Sequence, residues 1–411
     1  MSTISPGATA QSSWFQRFIL PGFAFKAVVI GGGYATGREI AEFFLPAGPW
    51  GGLAAILLAM TICSAVCIVT FAFAHAAGAL DYRSFFRALL GRGWIAFEIT
   101  YALFVILILA VFGAAAGEIA KATFGLPPLA GTLALMLAIA CFAAFGNSSV
   151  ERLFAWVSVL LYGVYLLFLC FALTTFGDRI VAAFSGTLLV SASEVVSGAA
   201  AANGAASSGH WALGGITYAG YNIVGAVVIL PAIRHLTSRR DAVFAGLVAG
   251  PLALLPALMF FVCMVAFLPG IANEVLPSDF MLARLGQPTF HVLFQVMIFA
   301  ALLESGTGAV HAINERIAVA WRHHRGDAPG AAVRGMIALV LLAGCMLLAA
   351  RIGLVALIAH GYRAFAYVLL VIYVLPLLTL GLWRLAHWHV VNQFSGLDPV
   401  PAPPVSGKEI A

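Results

Sequence analysis

The chain has 411 residues, 63% hydrophobic and only 9% charged, with a formal net charge of +5 and a mean hydropathy of +1.04. Soluble domains carry about 25% charged residues, so this composition excludes a soluble enzyme, a disordered chain and a nucleic-acid-binding domain. It predicts an all-α integral membrane protein, and the basic excess, confined to short loops between apolar segments, is read as a topology signal.

Residues 1–17 are mostly polar, lack the basic start and cleavage site of a signal peptide, and are read as an N-terminal tail. Apolar segments long enough to cross a bilayer follow near 18–46, 51–77, 94–118, 129–146, 153–176, 212–233, 242–268, 290–320, 334–350 and 353–385. Continuous period-two alternation is absent, which excludes a membrane barrel. The first five segments form one unit over 18–176, and the last five form another over 212–388. Residues 177–211 read as a flexible external connection, and 389–411 as a Pro-rich cytoplasmic tail.

Loop charge sets the orientation. Arg83, Arg87 and Arg92, then Arg152, then Arg234, Arg239 and Arg240, then Arg316, Arg322, Arg325 and Arg334 fall on one side. The other side has only Lys121, Arg179, Arg284 and Arg351. The positive-inside rule therefore predicts two cytoplasmic termini. Reading 180–202, with Glu194 and its serines, as an eleventh span would move every later basic loop outside, so it is placed in the external connection. Cys63, Cys67, Cys141, Cys170, Cys263 and Cys345 all lie in apolar stretches, which predicts neither a disulfide framework nor a metal site.

Two segments carry unusual glycine. In KAVVIGGGYATGREIAEFF, Gly31, Gly32, Gly33 and Gly37 precede Arg38, Glu39 and Glu42. Each glycine costs about 1 kcal/mol in a helix relative to alanine, so a break near mid-bilayer is expected, tolerated only inside protein or beside a wet cavity. In WALGGITYAGYNIVGAVVILP, Gly214, Gly215 and Gly220 surround Thr217, Tyr218, Tyr221 and Asn222. These are the first members of two five-segment runs, and because five is odd the second run enters from the opposite side. Interrupted helices at matching places in inverted halves point to the binding site of a secondary transporter. Gly33-x-x-x-Gly37 also fits plain helix packing. Candidate substrate contacts are Gly31, Gly32, Gly33, Tyr34, Thr36, Gly37, Arg38, Thr217, Tyr218, Tyr221 and Asn222; Tyr101 and Phe104 are read mainly as packing.

Ionisable groups within spans are functional candidates by default. Glu304 lies near the middle of the eighth segment and could carry a proton or pair with Arg38 or Arg363. Glu39, Glu42, Arg363 and His360 are candidates for a gate or ion pair.

GGGYATGREIAEFF, YNIVGAVVILPAI and LLESGTGAVHAINERI together resemble the YkvI-like family of bacterial inner-membrane proteins, across nearly the whole chain. That family is similar to the amino acid–polyamine–organocation superfamily. The resemblance implies a LeuT-type fold of about ten helices in two inverted five-helix repeats, the first and sixth interrupted. It also implies a bacterial inner-membrane location. By the same resemblance Ser305 and Thr307 could hold a sodium ion together with carbonyls near Ile30 and Gly33. The chain departs from the family pattern at Arg38, where Gln is usual, and at Arg363, where a small residue is usual.

The expectation is a non-enzymatic, cation-coupled symporter of a small amino-acid-like or carboxylate solute, working by alternating access. Its partners are the solute and the bilayer, with no nucleic acid, no cofactor and no metal beyond a sodium ion; the coupling ion is sodium or a proton. A receptor that binds a ligand on the same scaffold without moving it is the alternative.

Overall fold

The computed structural model describes residues 13–145, 147–186, 210–325 and 330–387, and every regular element among them is helical. Apolar segments become helices because hydrocarbon offers the backbone no other hydrogen-bond partner. The first span is assembled from Phe15–Ile19, Leu20–Val29, Gly32–Ala35 and Arg38–Phe43. Gly48–Ala77, Trp94–Phe124, Pro128–Phe145 and Asn147–Phe184 are the second to fifth. The sixth combines His210–Asn222, Val224–Val228 and the 3₁₀ turns of Leu230–His235. Arg239–Met264, Pro288–Arg325 and Ala331–Ile352 are the seventh to ninth, and the tenth runs from Leu354 to Ala386 with several π-helical turns. Among the described residues, seven helical stretches are long and apolar enough to cross a membrane, and Pro128–Phe142 is a shorter apolar helix. The first and sixth spans fall outside that set because their interruptions divide each into short pieces.

The two runs of five share a further feature. A nine-residue helix, Tyr82–Leu90, follows the second span, and another, Pro277–Leu285, follows the seventh. The former lies on the arginine-rich (basic) face, where the carbonyls of Ala88 and Leu89 accept from the Arg384 guanidinium. The latter lies on the opposite face.

Two boundaries differ from the sequence expectation. The fifth helix continues through Phe184, so residues 177–184 are not part of the connection. Asp178 and Arg179 read as loop residues, but the added turns have tertiary partners. The Arg179 guanidinium rests 4.9 Å from the Phe267 ring centre, and the Trp50 indole donates to the Phe184 carbonyl at 3.0 Å. At the other end, the first helix begins by Phe15 rather than at 18, because Arg17 reaches Asp241 on the seventh span. Glu194 and the rest of the connection over 187–209 lie outside the described residues, as do 1–12 and 388–411.

The second and seventh spans pack together most extensively. Ala245, Ala249, Ala253 and Ala257 recur every four residues on the seventh, with Gly246 and Gly250 beside them. Small residues at this spacing let membrane helices approach to van der Waals distance. A Cβ on Gly246 would meet the backbone nitrogen of Ile68 at 2.5 Å, and one on Gly250 the Met60 carbonyl oxygen at 2.3 Å. Gly246→Ala is therefore expected to cost about 1–3 kcal/mol, read as a lower thermal unfolding midpoint in detergent. Gly344→Ala, whose added carbon meets open space, should leave the midpoint unchanged.

Candidate functional site

The first span is interrupted twice, and the local geometry explains why the chain tolerates it. Ile30 leaves the helical region at φ −77°, ψ 89°, and Gly37 sits in the left-handed region at φ 78°, where a side chain would be strained. The groups freed between these points find partners inside the protein. The Thr36 hydroxyl donates to the Gly33 carbonyl at 3.1 Å, the Thr36 carbonyl accepts from the Ser278 amide at 3.0 Å, and the Tyr165 hydroxyl donates to the Ala35 carbonyl at 3.3 Å. An unwound stretch so satisfied is stable in a bilayer.

Beside the break lies a small cavity of about 40 Å³, whose lining includes Gly31, Glu39, Phe104, Phe112, Tyr221, Asn222 and Tyr362. Glu39 is its one carboxylate. Its side chain folds back over Gly33, so that a Cβ on that glycine would fall 2.3 Å from the Glu39 Oε1. The Tyr221 hydroxyl donates to the other carboxylate oxygen at 2.7 Å. Glu39 is only 3% exposed and makes no ion pair among the described residues. A volume of this size holds roughly three waters, whereas small-molecule pockets start at about 300 Å³. The space beside the break is thus smaller than a small-molecule site.

Ion pairs bridge the helices on both sides of the cavity. Toward the opposite face, Arg38 pairs with Glu42 at 2.9 Å, and Glu42 with Arg363 of the tenth span at 3.3 Å. Arg38 also donates to the carbonyls of Ala272 and Glu274, which ties the connector before the eighth span to the first. Aromatic rings close the space beneath: Tyr221 and Tyr362 lie 4.6 Å apart, and Phe104 packs on both. Toward the basic face, Arg17 pairs with Asp241 at 2.7 Å. That carboxylate also accepts from the Thr237 amide and from the hydroxyls of Thr237 and Ser238.

A separate charge cluster lies between the first, fifth and eighth spans. The Lys26 ammonium sits 3.6 Å from the centre of the Tyr162 ring, and Lys26 is 3% exposed. Glu304 is the carboxylate within electrostatic range of it, although the two make no direct ion pair. Thr307 is buried, with its hydroxyl donating to the Leu303 carbonyl at 2.7 Å, while Ser305 is half-buried.

The expected site residues divide accordingly. Gly31, Tyr221 and Asn222 line the cavity; Asn222 donates to the Tyr218 carbonyl at 3.0 Å. Gly33 carries the Glu39 carboxylate, and Gly32 begins the short helical turn within the break. Tyr34 points away, with its hydroxyl on the Ala253 carbonyl of the seventh span. Thr217 is buried, and Tyr218 packs against Phe43 and Phe44. Arg38 belongs to the ion-pair chain rather than to the cavity. Glu39, expected at a gate, lines the cavity instead, because the turn at Gly37 swings it back. His360 is exposed.

The sixth span is interrupted at Ile223, which keeps helical angles of φ −61°, ψ −17°, and again at Ile229, φ −90°, ψ 8°, where it passes into its 3₁₀ end. Its glycines are contact residues: a Cβ would lie 2.1 Å from the Phe43 oxygen at Gly214 and 2.5 Å from the Ala55 oxygen at Gly215. Sequence reasoning overlooked Lys26, although a lone lysine within FAFKAVVIGGG is the kind of intramembrane charge that signals function. Phe104, read mainly as packing, is buried against Tyr221 and Tyr362 and also lines the cavity.

No protein-family model matches the chain, and no curated protein matches it by sequence. Solved structures do. A sialic acid symporter described as Na+-coupled, in a substrate-bound outward-open state, has a TM-score of 0.59 at 14% identity, with 88% of this chain and 82% of that chain covered. MhsT in complex with L-phenylalanine has a TM-score of 0.54 at 18% identity, covering 93% and 90%. A manganese transporter of Eremococcus coleocola has a TM-score of 0.52 at 16% identity, covering 91% and 81%. The chain therefore has the LeuT-type fold, ten helical spans with the first and sixth interrupted.

Proposed function

We propose that this chain is a secondary transporter that moves a small amino-acid-like solute by alternating access, coupled to a cation. The observation that carries this reading is the cavity at the broken first span, with bridging ion pairs on either side of it. Alternating access needs a site that can be closed from each face in turn, and Arg38–Glu42–Arg363 and Arg17–Asp241 are fitted to that task. Transport rather than enzyme chemistry also accords with the symporter and the manganese transporter that share the fold.

The charge of the cavity narrows the cargo. Arg38 and Arg363 favour an anion on sequence grounds, but both are engaged with Glu42. The one carboxylate at the cavity is that of Glu39, which suits a protonated amino group, with the Asn222 amide offering both a donor and an acceptor. An amino-acid-like solute fits this lining better than a simple carboxylate.

Lys26 and Glu304 favour a proton as the coupling ion. The Lys26 ammonium lies on the first span within electrostatic reach of Glu304, so a sodium ion bound by Ser305 and Thr307 would meet a resident positive charge. The Na+-coupled symporter with the same fold favours sodium instead. We place the chain in a bacterial-type inner membrane, in the YkvI-like family, with the basic face and both termini cytoplasmic.

Uptake into proteoliposomes tests the reading. A panel of labelled amino acids and small carboxylates is offered under a sodium gradient and then a proton gradient. Accumulation of an amino acid is expected, and the gradient that drives it identifies the ion. A panel member that binds but is moved under neither gradient would replace transport with the receptor reading. Arg17→Ala, which releases the contact at the basic face, should speed efflux by about 2- to 5-fold, taking the contact as worth 0.5–1 kcal/mol at a half-exposed position; unchanged efflux would remove Arg17–Asp241 as a gate.

A further inference from the structure

On the basic side of the central cavity the structure contains a second, larger one of about 270 Å³, between the third, sixth and eighth spans and the Tyr82–Leu90 helix. It is close to the size at which small-molecule sites begin, about 300 Å³. It lies one turn further toward the basic face: Tyr101 on its wall precedes the central Phe104 by three residues, and Val228 follows Val224 by four. We propose that this vestibule is a binding site for the carboxylate group of a small organic acid or amino acid, built on Arg316.

Arg316 lines the cavity and is held against aromatic faces. Its guanidinium carbon lies 4.1 Å from the Tyr82 ring centre and 3.9 Å from that of Tyr101, and the two rings are 6.3 Å apart. The two ring faces hold the guanidinium by cation–π attraction, which occupies its faces and not its N–H groups. Nη1 is buried without a hydrogen-bond partner, and Arg316 makes no ion pair among the described residues. A buried donor without a partner is uncommon in folded proteins, and for a charged donor the cost is larger.

The neighbouring charges have partners of their own, although Glu98 Oε2 and Arg83 Nε are each buried without one. The Asp81 carboxylate caps its own helix, accepting from the amides of Arg83 and Ser84 and from the Ser84 hydroxyl. Glu98 accepts from the Tyr82 hydroxyl at 3.1 Å and stands 3.8 Å from Arg83. Asp81, Arg83 and Arg316 are the charged residues lining the vestibule, and Arg316 is the one of the three without a polar partner among the described residues. A planar carboxylate matches the fork of a guanidinium and supplies the acceptor that Arg316 Nη1 lacks.

The functional sense of this site rests on the transport reading: an amino-acid-like solute leaving Glu39 by its amino end would find Arg316 on the next turn for its carboxylate. Its existence as a binding site does not depend on that reading. Benzoate is the probe, titrated into the detergent-solubilised full chain by calorimetry, with benzamide as the uncharged control and inorganic phosphate as competitor. Benzoate is expected to bind and benzamide not. Arg316→Gln should weaken benzoate binding at least about 10-fold, the equivalent of 1.4 kcal/mol, and Arg316→Lys, which keeps the charge and loses the fork, by less. The thermal midpoint of each variant establishes that it is folded, and Tyr101→Leu, which loosens the guanidinium without removing it, should also weaken binding. Equal benzoate affinity in wild type and Arg316→Gln, no binding to folded wild type, or displacement by phosphate at equal concentration would each overturn the assignment. Uptake that persists while benzoate binding is absent would sink this proposal alone, and benzoate binding without uptake would sink only the transport reading.

Discussion

Glu39→Gln is expected to reduce amino-acid uptake by about 100-fold, in line with the 2–5 kcal/mol that removing one partner of a buried, hydrogen-bonded charge pair costs. Glutamine keeps the shape of the side chain and an acceptor for the Tyr221 hydroxyl, which now bonds the carboxylate at 2.7 Å. It removes only the charge proposed to hold an amino-acid solute's ammonium. Because Glu39 is buried without an ion-pair partner among the described residues, its loss should leave the thermal midpoint unchanged or raise it. Lost uptake with retained stability is the signature of a binding group, since a purely structural carboxylate would lose both or neither. Gly33→Ala should approach the same defect by another route, because its Cβ would stand where the Glu39 carboxylate now lies. Uptake by Glu39→Gln within about threefold of wild type, under 0.7 kcal/mol, would remove Glu39 from the site.

Lys26→Met carries the second large effect. The substitution leaves Glu304 in the span without its positive counterpart, and an uncompensated charge at mid-helix costs about 2.5–3.5 kcal/mol on insertion scales. The thermal midpoint should fall sharply. The double variant Lys26→Met with Glu304→Gln should recover most of that stability, because both charges are then gone, yet lose its response to the driving ion gradient. Glu304→Gln alone leaves the ammonium with only the Tyr162 ring, worth about 0.5–2 kcal/mol, and should fall between the two. Additive stability losses in the double variant would show that the two groups do not interact.

Much of the fold was legible in the chain because membrane insertion reads local properties. A run of about 20 apolar residues forms a helix wherever it stands, and arginines between runs mark one face. Gly37 was legible as part of a break because the backbone there adopts an angle that glycine alone accepts at little cost. The sixth-span glycines carry the same letters with a different meaning. Gly214 and Gly215 make room for carbonyls of Phe43 and Ala55, which are distant in sequence, and composition cannot tell a glycine that unwinds a helix from one that admits a neighbour.

The sequence by itself determined the solvent, the helix count, the orientation bias and the pairing of interrupted segments, since each follows from hydrophobicity and charge summed along the chain. Only the tertiary structure decided what the individual charges do. Arg38 and Glu39 are adjacent, yet the turn at Gly37 sends one to Glu42 and the connector carbonyls and the other back over Gly33 to Tyr221. Lys26 acquires its role from Tyr162 and Glu304, and Arg316 from Tyr82 and Tyr101, on helices remote in sequence. Hydrophobic transfer acts on each segment alone, whereas the energy of a buried charge is set by the few ångströms around it, and those are fixed only once the helices have packed.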